Sequence, residues 1–334
     1  MIEPIVTIIT PTYNHEKYIK RCLDSAIQQT FTDWELIVVD DDSTDGTSAE
    51  ISKVFDKRIR YFHQKNKGIE RLAESYNKAL ELAKGKYIAI LEGDDYWPAD
   101  KLEKQILMFR DKNIVLTWGR ASWVKEDGTF ILNAPENMKQ YKKMKRLHFL
   151  QKLLFGNFIP AITVMLRTTT LRSIGGFQQP CGLLMVDYPT WLKVLQVGEM
   201  ACSSEVLGNW RRHGLQMSTH RQLELMDGAR NYAISCYENL SPEIKTKLTI
   251  NKKNIQNRWN IDLSLSGLYE GRKYLVKKQW QSARNEFMNA LTKGTIQVRL
   301  KALLGYIASL GHFQIENLVG ILKKEKIDKN ETWE

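Results

Sequence analysis

Short β-branched runs alternate with helix-spaced segments over the first ninety or so residues. Ile5 to Thr10, Glu35 to Val39, Ile59 to Phe62 and Tyr87 to Leu91 read as strands. They are mostly apolar and β-branched, as buried strands are. Between them, Lys17 to Gln29, Thr47 to Phe55 and Arg71 to Ala83 place apolar residues three and four apart, the period of a one-faced helix. Gly85 stops the third helix. This alternation predicts a parallel sheet covered by helices. Sites in such sheets lie at the carboxyl ends of strands.

The pattern loosens further on. Pro98 suits the first turn of a helix running to Arg110. Ile114 to Trp118, Ser122 to Val124, Ile162 to Leu166 and Val206 to Trp210 read as further strands, and Pro189 to Val197 as a helix. After His220 only helical spacing remains: Leu223 to Tyr237, Ile244 to Asn260, Leu263 to Lys278, Trp280 to Leu291 and Val298 to Leu310. Ala283-Arg284 with Phe287, Ala290 and Leu291 is similar to the second helix of a tetratricopeptide unit. One partial match does not make a stacked array. Two domains are expected, an α/β domain over 1–220 and a helical domain over 221–334 that docks a partner or a membrane.

Composition excludes several classes. The 334 residues are 43% hydrophobic and 26% charged, a globular balance. No apolar run approaches the ~20 residues of a membrane span, and Met1-Ile2-Glu3-Pro4-Ile5 lacks the regions of a signal peptide. A cytoplasmic chain is expected, peripheral at most on the inner membrane face. Cys22, Cys181, Cys202 and Cys236 are scattered, which argues against a disulfide framework and a zinc site. The net charge of +11 is uneven: residues 245–334 hold 17 Lys and Arg against 8 Asp and Glu. A second basic stretch runs from Lys139 to Arg146. Such surfaces attract anionic partners. No nucleic-acid module accompanies the charge, so no nucleic-acid partner is expected.

Polar clusters fall where the predicted strands end. They are Thr10-Pro11-Thr12-Tyr13-Asn14, Asp40-Asp41-Asp42-Ser43-Thr44-Asp45-Gly46-Thr47, and Glu92-Gly93-Asp94-Asp95. Two Asp-rich turns beside one sheet edge repel each other unless a cation lies between them. A hard divalent ion holding phosphate oxygens is one answer. Carboxylates that accept hydrogen bonds from a base and a ribose are another, compatible with the first.

These motifs, in this order, resemble those of the family 2 glycosyltransferases of the GT-A fold. Gly175-Gly176-Phe177 ahead of Asp187, and Arg211-Arg212-His213 after the last strand, extend the resemblance over residues 3–219. It implies an α/β, GT-A-type nucleotide-diphospho-sugar transferase sheet flanked by helices and followed by an all-helical C-terminal region. It implies an inverting, metal-dependent transferase of hexosyl or N-acetylhexosaminyl type, with a nucleoside diphosphate sugar as donor, UDP-sugars foremost. The cofactor would be Mn²⁺ or Mg²⁺, and the acceptor a surface glycan or lipid-linked glycan. Carried over by position, Tyr13 would stack on the base, with Pro11 and Thr12 lining its pocket. Asp41 would accept from the base N–H, with Asp40 nearby. Asp94 would bind ribose, Asp95 the metal, and Asp187 would be the general base. His213 would reach the diphosphate or metal, or lie on the surface.

The chain departs from the family pattern in places. Asp42 stands for the common Gly, Glu92 for the common Asp, and Val186 for the common Glu before the base. The family's arginine after Asn66-Lys67-Gly68 is missing, and Arg71 is its candidate substitute. Bland readings stand beside these roles: Asp45, Asp95 or Asp187 as helix caps, and Tyr13 as core filling. A sugar-nucleotide nucleotidyltransferase, or a binding module whose helical tail docks partners, is the alternative. The nucleotidyltransferase would expect a Gly-rich loop after the first strand, where this chain has Pro11-Thr12-Tyr13-Asn14-His15.

Overall fold

A computed structural model describes residues 3–214, 216 and 221–313. The predicted tail beyond Phe313, and the chain start at Met1-Ile2, lie outside the described residues. The chain forms two compact units, residues 1–153 with 157–219, and residues 154–156 with 220–334.

The first unit is built on an eight-stranded sheet. Its opening half follows the alternating pattern: β1 (Val6–Thr12), α1 (Ile19–Ile27), β2 (Trp34–Asp40), α2 (Thr47–Ser52), β3 (Ile59–His63), α3 (Leu72–Leu82) and β4 (Tyr87–Ile90). These four strands are parallel, in the order β3-β2-β1-β4. The chain winds outward from β1 to β3, then returns to the other side of β1. That reversal makes β1 and β4 the switch point at which α/β sheets open a crevice. Ile8, Ile9, Leu36, Val38 and Ala89 are wholly buried between the helical layers.

The second half adds antiparallel strands to this parallel set. After α4 (Lys101–Met108) come β5 (Ile114–Lys125), β6 (Phe130–Ala134), α5 (Arg146–Phe155), β7 (Met165–Arg167), α6 (Thr168–Ser173), α7 (Asp187–Val194) and β8 (Glu199–Arg212). β7 runs antiparallel to β4 and β5, β6 antiparallel to β5, and β8 parallel to β5. The two strands expected at 114–118 and 122–124 are one strand, continued past irregular register beside Gly119. The strand expected at 162–166 begins with a 3₁₀ turn, Ala161–Thr163. Helices α5 and α6 and strand β6 carry no strong period. Phe130 and Ile131 of β6 are exposed, so its pattern does not read as a buried strand.

The second unit is helical: α8 (Gln222–Glu238), α9 (Pro242–Lys247), α10 (Lys252–Val276), α11 (Trp280–Lys293) and α12 (Ile296–Leu310). The two helices expected over 244–260 and 263–278 divide differently, as short α9 and the 25-residue α10. No Pro interrupts residues 258–263, and Arg258 pairs with Asp262 at 3.1 Å along that stretch. Phe287 is the centre of this core. A Cβ on Gly271 would come within 2.7 Å of its ring, and one on Gly305 within 2.4 Å. The two glycines therefore let α10 and α12 close on α11. No helix among the described residues is long and apolar enough to cross a membrane.

Candidate active site

The carboxyl ends of β1, β2 and β4 carry the three polar clusters. Register sets Thr12 beside Asp40, and Asp40 beside His63. The β1 and β2 loops are tied together. Asn14 turns through φ 55°, its N–H donates to Ser43 Oγ at 2.9 Å, and its Oδ1 accepts from Thr44 N–H at 2.8 Å. Asp42 has φ 68°, in the left-handed region that favours glycine, which explains why Gly is common there. Asp in its place pays a small conformational cost and pairs with His63 at 3.2 Å.

Within this edge the acids differ in employment. Asp40 is wholly buried. Its Oδ1 accepts from Ser43 N–H and Oγ, and its Oδ2 from Tyr61 OH. It organises the turn, and both oxygens are spent on that. Asp41 accepts from Gln64, Lys67 N–H and Gly68 N–H, so it anchors the loop at 66–68. The Lys67 N–H is shared between both oxygens, so one acceptor position can be released at little cost. The cap residue of α2 is Gly46, which makes no side-chain capping bond; Asp45 stands before it and accepts from Thr47 N–H and Oγ1 and from Glu16 N–H, so it ties the turn ahead of the helix to the first loop. Tyr13 is 44% exposed, so it does not fill the core. Pro11 and Thr12 are buried beside it. Arg71 is exposed and paired with Glu74, in the 3₁₀ turn Ile69–Arg71.

The β4 cluster is held against β8. Tyr96 and Asn209 form a two-way backbone bridge. That bridge sets Asp95 beside Arg211 and Asp94 beside His213. Asp95 is 3% exposed, and its Oδ1 accepts from Arg211 N–H at 2.8 Å. Asp94 Oδ2 lies 3.1 Å from His213 Nε2, across 119 residues of sequence. His213 Nδ1 is buried without a hydrogen-bond partner among the described residues. The Tyr18 ring lies tilted against the His213 ring, with centroids 4.7 Å apart, and its hydroxyl donates to Glu126 at 2.7 Å. Arg211 is buried between the rings of Tyr18 and Tyr96, and Arg212 between Trp123 and Trp210.

Asp187 opens α7 on the far side of this edge. The preceding loop is pinned by Gly176 (φ 82°), where a Cβ would come within 2.3 Å of Asn77 Oδ1. That oxygen accepts from Phe177 N–H, and Asn77 Nδ2 donates to Phe177 O. The Asp187 carboxylate accepts from Asn157 Nδ2 at 2.7 Å. The cap residue of α7 is Val186, which makes no side-chain capping bond.

Electrostatics links these acids. Burial, then the charge of Asp94, pushes Glu92 up to about 7, although Tyr76 OH donates to it at 2.9 Å. Burial and the charges of Asp94 and Glu92 hold Asp95 well above the usual carboxylate range. Burial works against Asp94 too, but His15 and the His213 hydrogen bond outweigh it and take Asp94 down to about 2. Burial raises Asp187, against the Tyr188 N–H and Asn157. Negative charge crowded in this way is relieved by a cation. No group of three or more His, Cys, Asp or Glu side chains among the described residues forms a metal cage. A hard ion fits instead on one or two side chains plus phosphate oxygens, the usual Mg²⁺ arrangement.

Pattern reasoning missed His15, Tyr18, Tyr76 and Asn157. His15 follows the first motif directly, and its Nδ1 lies 3.1 Å from Thr12 Oγ1. The position beside the motif was its signal. Asn157 sits in the irregular middle region and has no sequence signal.

A mixed sheet with its acids at the β1/β4 switch point defines a nucleotide-sugar transferase fold. The glycosyl transferase family 2 model matches residues 7–169. TuaG of Bacillus subtilis (strain 168), described as a glycosyltransferase of teichuronic acid biosynthesis, is 32% identical over 226 residues, 66% of this chain and 83% of TuaG. WfgD of Escherichia coli is 34% identical over 199 residues, 59% of this chain and 72% of WfgD. It is described as a UDP-Glc:alpha-D-GlcNAc-diphosphoundecaprenol beta-1,3-glucosyltransferase. The crystal structure of S. aureus TarS 1-349 in complex with UDP-GlcNAc matches with a TM-score of 0.57 at 16% identity, over 91% of this chain and 90% of that one. That likeness is one of fold. The chain belongs to family 2 of the glycosyltransferases, and it is a glycosyltransferase of the GT-A fold. The nucleotidyltransferase and binding-module alternatives find no support among these relatives.

Proposed function

We propose that this transferase moves a hexosyl or N-acetylhexosaminyl group from a UDP-sugar to a hydroxyl of a lipid-carried surface glycan, with inversion. The approach of Asp94 to His213 at the β1/β4 crevice carries this reading. Tyr13 offers an exposed ring face to the base, over a floor of Pro11 and Thr12. Asp41 accepts the base N–H by releasing one arm of the shared Lys67 N–H. Asp94 and His213 would hold Mn²⁺ or Mg²⁺. This reading sets aside the metal role expected of Asp95 and the ribose role expected of Asp94: Asp95 Oδ1 accepts from the Arg211 N–H, and Asp94 is the acid that faces His213. A bound divalent ion would stabilise the charge that the departing nucleoside diphosphate gains. Arg71 reaches a diphosphate only on leaving Glu74.

Asp187 takes the proton of the acceptor hydroxyl as it attacks. Burial raises its pKa and so makes the ionised carboxylate a stronger base, and Asn157 keeps one oxygen in place. One base and one displacement give inversion without a covalent sugar–enzyme intermediate. The names of TuaG and WfgD support a lipid-carried or wall-glycan acceptor. The domain boundary near residue 220 would separate this chemistry from a helical docking unit.

The test is transfer from UDP-[¹⁴C]glucose and UDP-[¹⁴C]GlcNAc to a diphosphoprenyl-linked sugar, with Mn²⁺ or with chelator. Metal-dependent transfer of one label, with an inverted anomeric centre by NMR, is expected. Transfer unaffected by chelator, or with retention, would remove the reading.

A further inference from the structure

The outer face of α12 is apolar from end to end. Ile296 (78% exposed), Leu300, Leu303, Leu304, Ile307 and Leu310 stand in solvent on one stripe. The opposite face, including Val298, Ala302, Gly305 and Ala308, is buried. Scattered exposed apolar residues are ordinary on a protein surface, but a contiguous stripe marks a surface that meets something apolar.

Charge identifies what it meets. α12 carries Arg299 and Lys301 and no acidic residue. From Arg221 to Phe313 the chain has 15 Lys and Arg against 7 Asp and Glu. Six of those seven acids, Glu224, Asp227, Glu238, Glu243, Asp262 and Glu270, are already paired with Lys or Arg of the same unit. The positive surplus therefore belongs to the folded helices. Residues 314–334 contain 4 Lys against 5 acids and add nothing to it. A second copy of this unit would bring the same surplus against itself, which costs association. An anionic bilayer surface satisfies both properties, because acyl chains take the stripe and acidic headgroups take the Lys and Arg.

We propose that the α12 stripe lies in the headgroup–acyl boundary of an anionic membrane and that the basic helices around it hold it there. With 15 residues, α12 is about 22 Å long, too short to span a bilayer but suited to lying in its surface. The inference rests on the proposed function only for the purpose of such anchoring, which keeps a transferase where lipid-carried acceptors lie. The surface itself is argued from α12 and its charge.

The test is co-sedimentation of the full-length protein with phosphatidylglycerol–phosphatidylcholine vesicles and with phosphatidylcholine vesicles. The wild type is expected to bind the anionic vesicles in preference. At about 1 M salt, where charges are screened beyond about 3 Å, binding weakens but persists. Leu300→Ser, Leu304→Ser and Ile307→Ser combined should weaken it by about tenfold or more, with melting temperature unchanged. UDP binding in Mn²⁺ without vesicles should also be unchanged, which separates failure of this surface from failure of the donor site. The inference is overturned if wild type ignores anionic vesicles or if the triple variant binds them equally well. A fall in melting temperature with vesicle binding intact would show that this chain, including residues 314–334, covers the stripe. Concentration-dependent dimers abolished by the triple variant, without vesicle binding, would assign it to a second copy.

Discussion

A general base must be ionised to act, and in the role proposed for Asp187 the protein's interior makes that harder. Burial raises its pKa, while the Tyr188 N–H and Asn157 Nδ2 favour the charged form. The rate should therefore fall as pH drops through a value above the usual carboxylate range. Asn157→Ala removes a hydrogen bond to the ionised form, so its acid limb should move to higher pH. A kcat–pH profile unchanged from wild type would remove Asn157 from the account. Glu92 faces the same region, so its charge enters the profile as well, whereas Tyr76, held well above its ordinary value by burial, stays neutral. Asp187→Asn should keep UDP binding and lower kcat by about 10²–10⁴, the usual worth of a positioned base. Wild-type turnover would reduce Asp187 to an ordinary first-turn acid. Asp95 has a different job at the same strand end. Asp95→Ala leaves the buried Arg211 N–H without its acceptor and should cost about 1–3 kcal/mol of stability. Chemical denaturation measures this, and an unchanged midpoint would return Asp95 to the ligand role its motif position suggested.

At the scale of elements, the first four strands and their acid-rich ends were legible because each is a local β-branched run with an abrupt polar stop. The loop after β2 was legible for the same reason, but the positive φ of Asp42 was not: the sequence showed only Asp where Gly is common, and the backbone gives the reason. The middle region resisted because its elements take their shape from partners. β6 exposes Phe130 and Ile131, and β7 is only three residues long. Asn157 becomes functional only when α7 arrives beside it. The pairing of Asp94 with His213 is likewise invisible in one dimension, since it depends on the Tyr96–Asn209 bridge. The glycines in α10 and α12 are packing sites. An exposed helical Gly→Ala stabilises by up to about 1 kcal/mol. Gly271→Ala and Gly305→Ala should instead destabilise by about 1–3 kcal/mol each, because a Cβ meets the Phe287 ring. A rise in melting temperature in either variant would contradict this packing.

Over the whole molecule, charge and chemistry are divided between the units. The acids that face one another sit at the β1/β4 crevice of the first unit, and the basic surplus sits on the helices of the second. Under the proposed anchoring, net charge bears on where the enzyme is held, and it says little about the reaction. The reaction rests on family membership, on the motif ends gathered at one sheet edge, and on Asp94 turned toward His213. Titration of UDP into the wild type and Asp94→Asn, each with Mn²⁺ and with chelator, tests this most directly. Wild type should bind UDP tightly only with Mn²⁺, and Asp94→Asn should lose at least about tenfold in that metal-dependent affinity while melting normally without ligand. Equal, metal-dependent binding by Asp94→Asn and wild type would contradict the account.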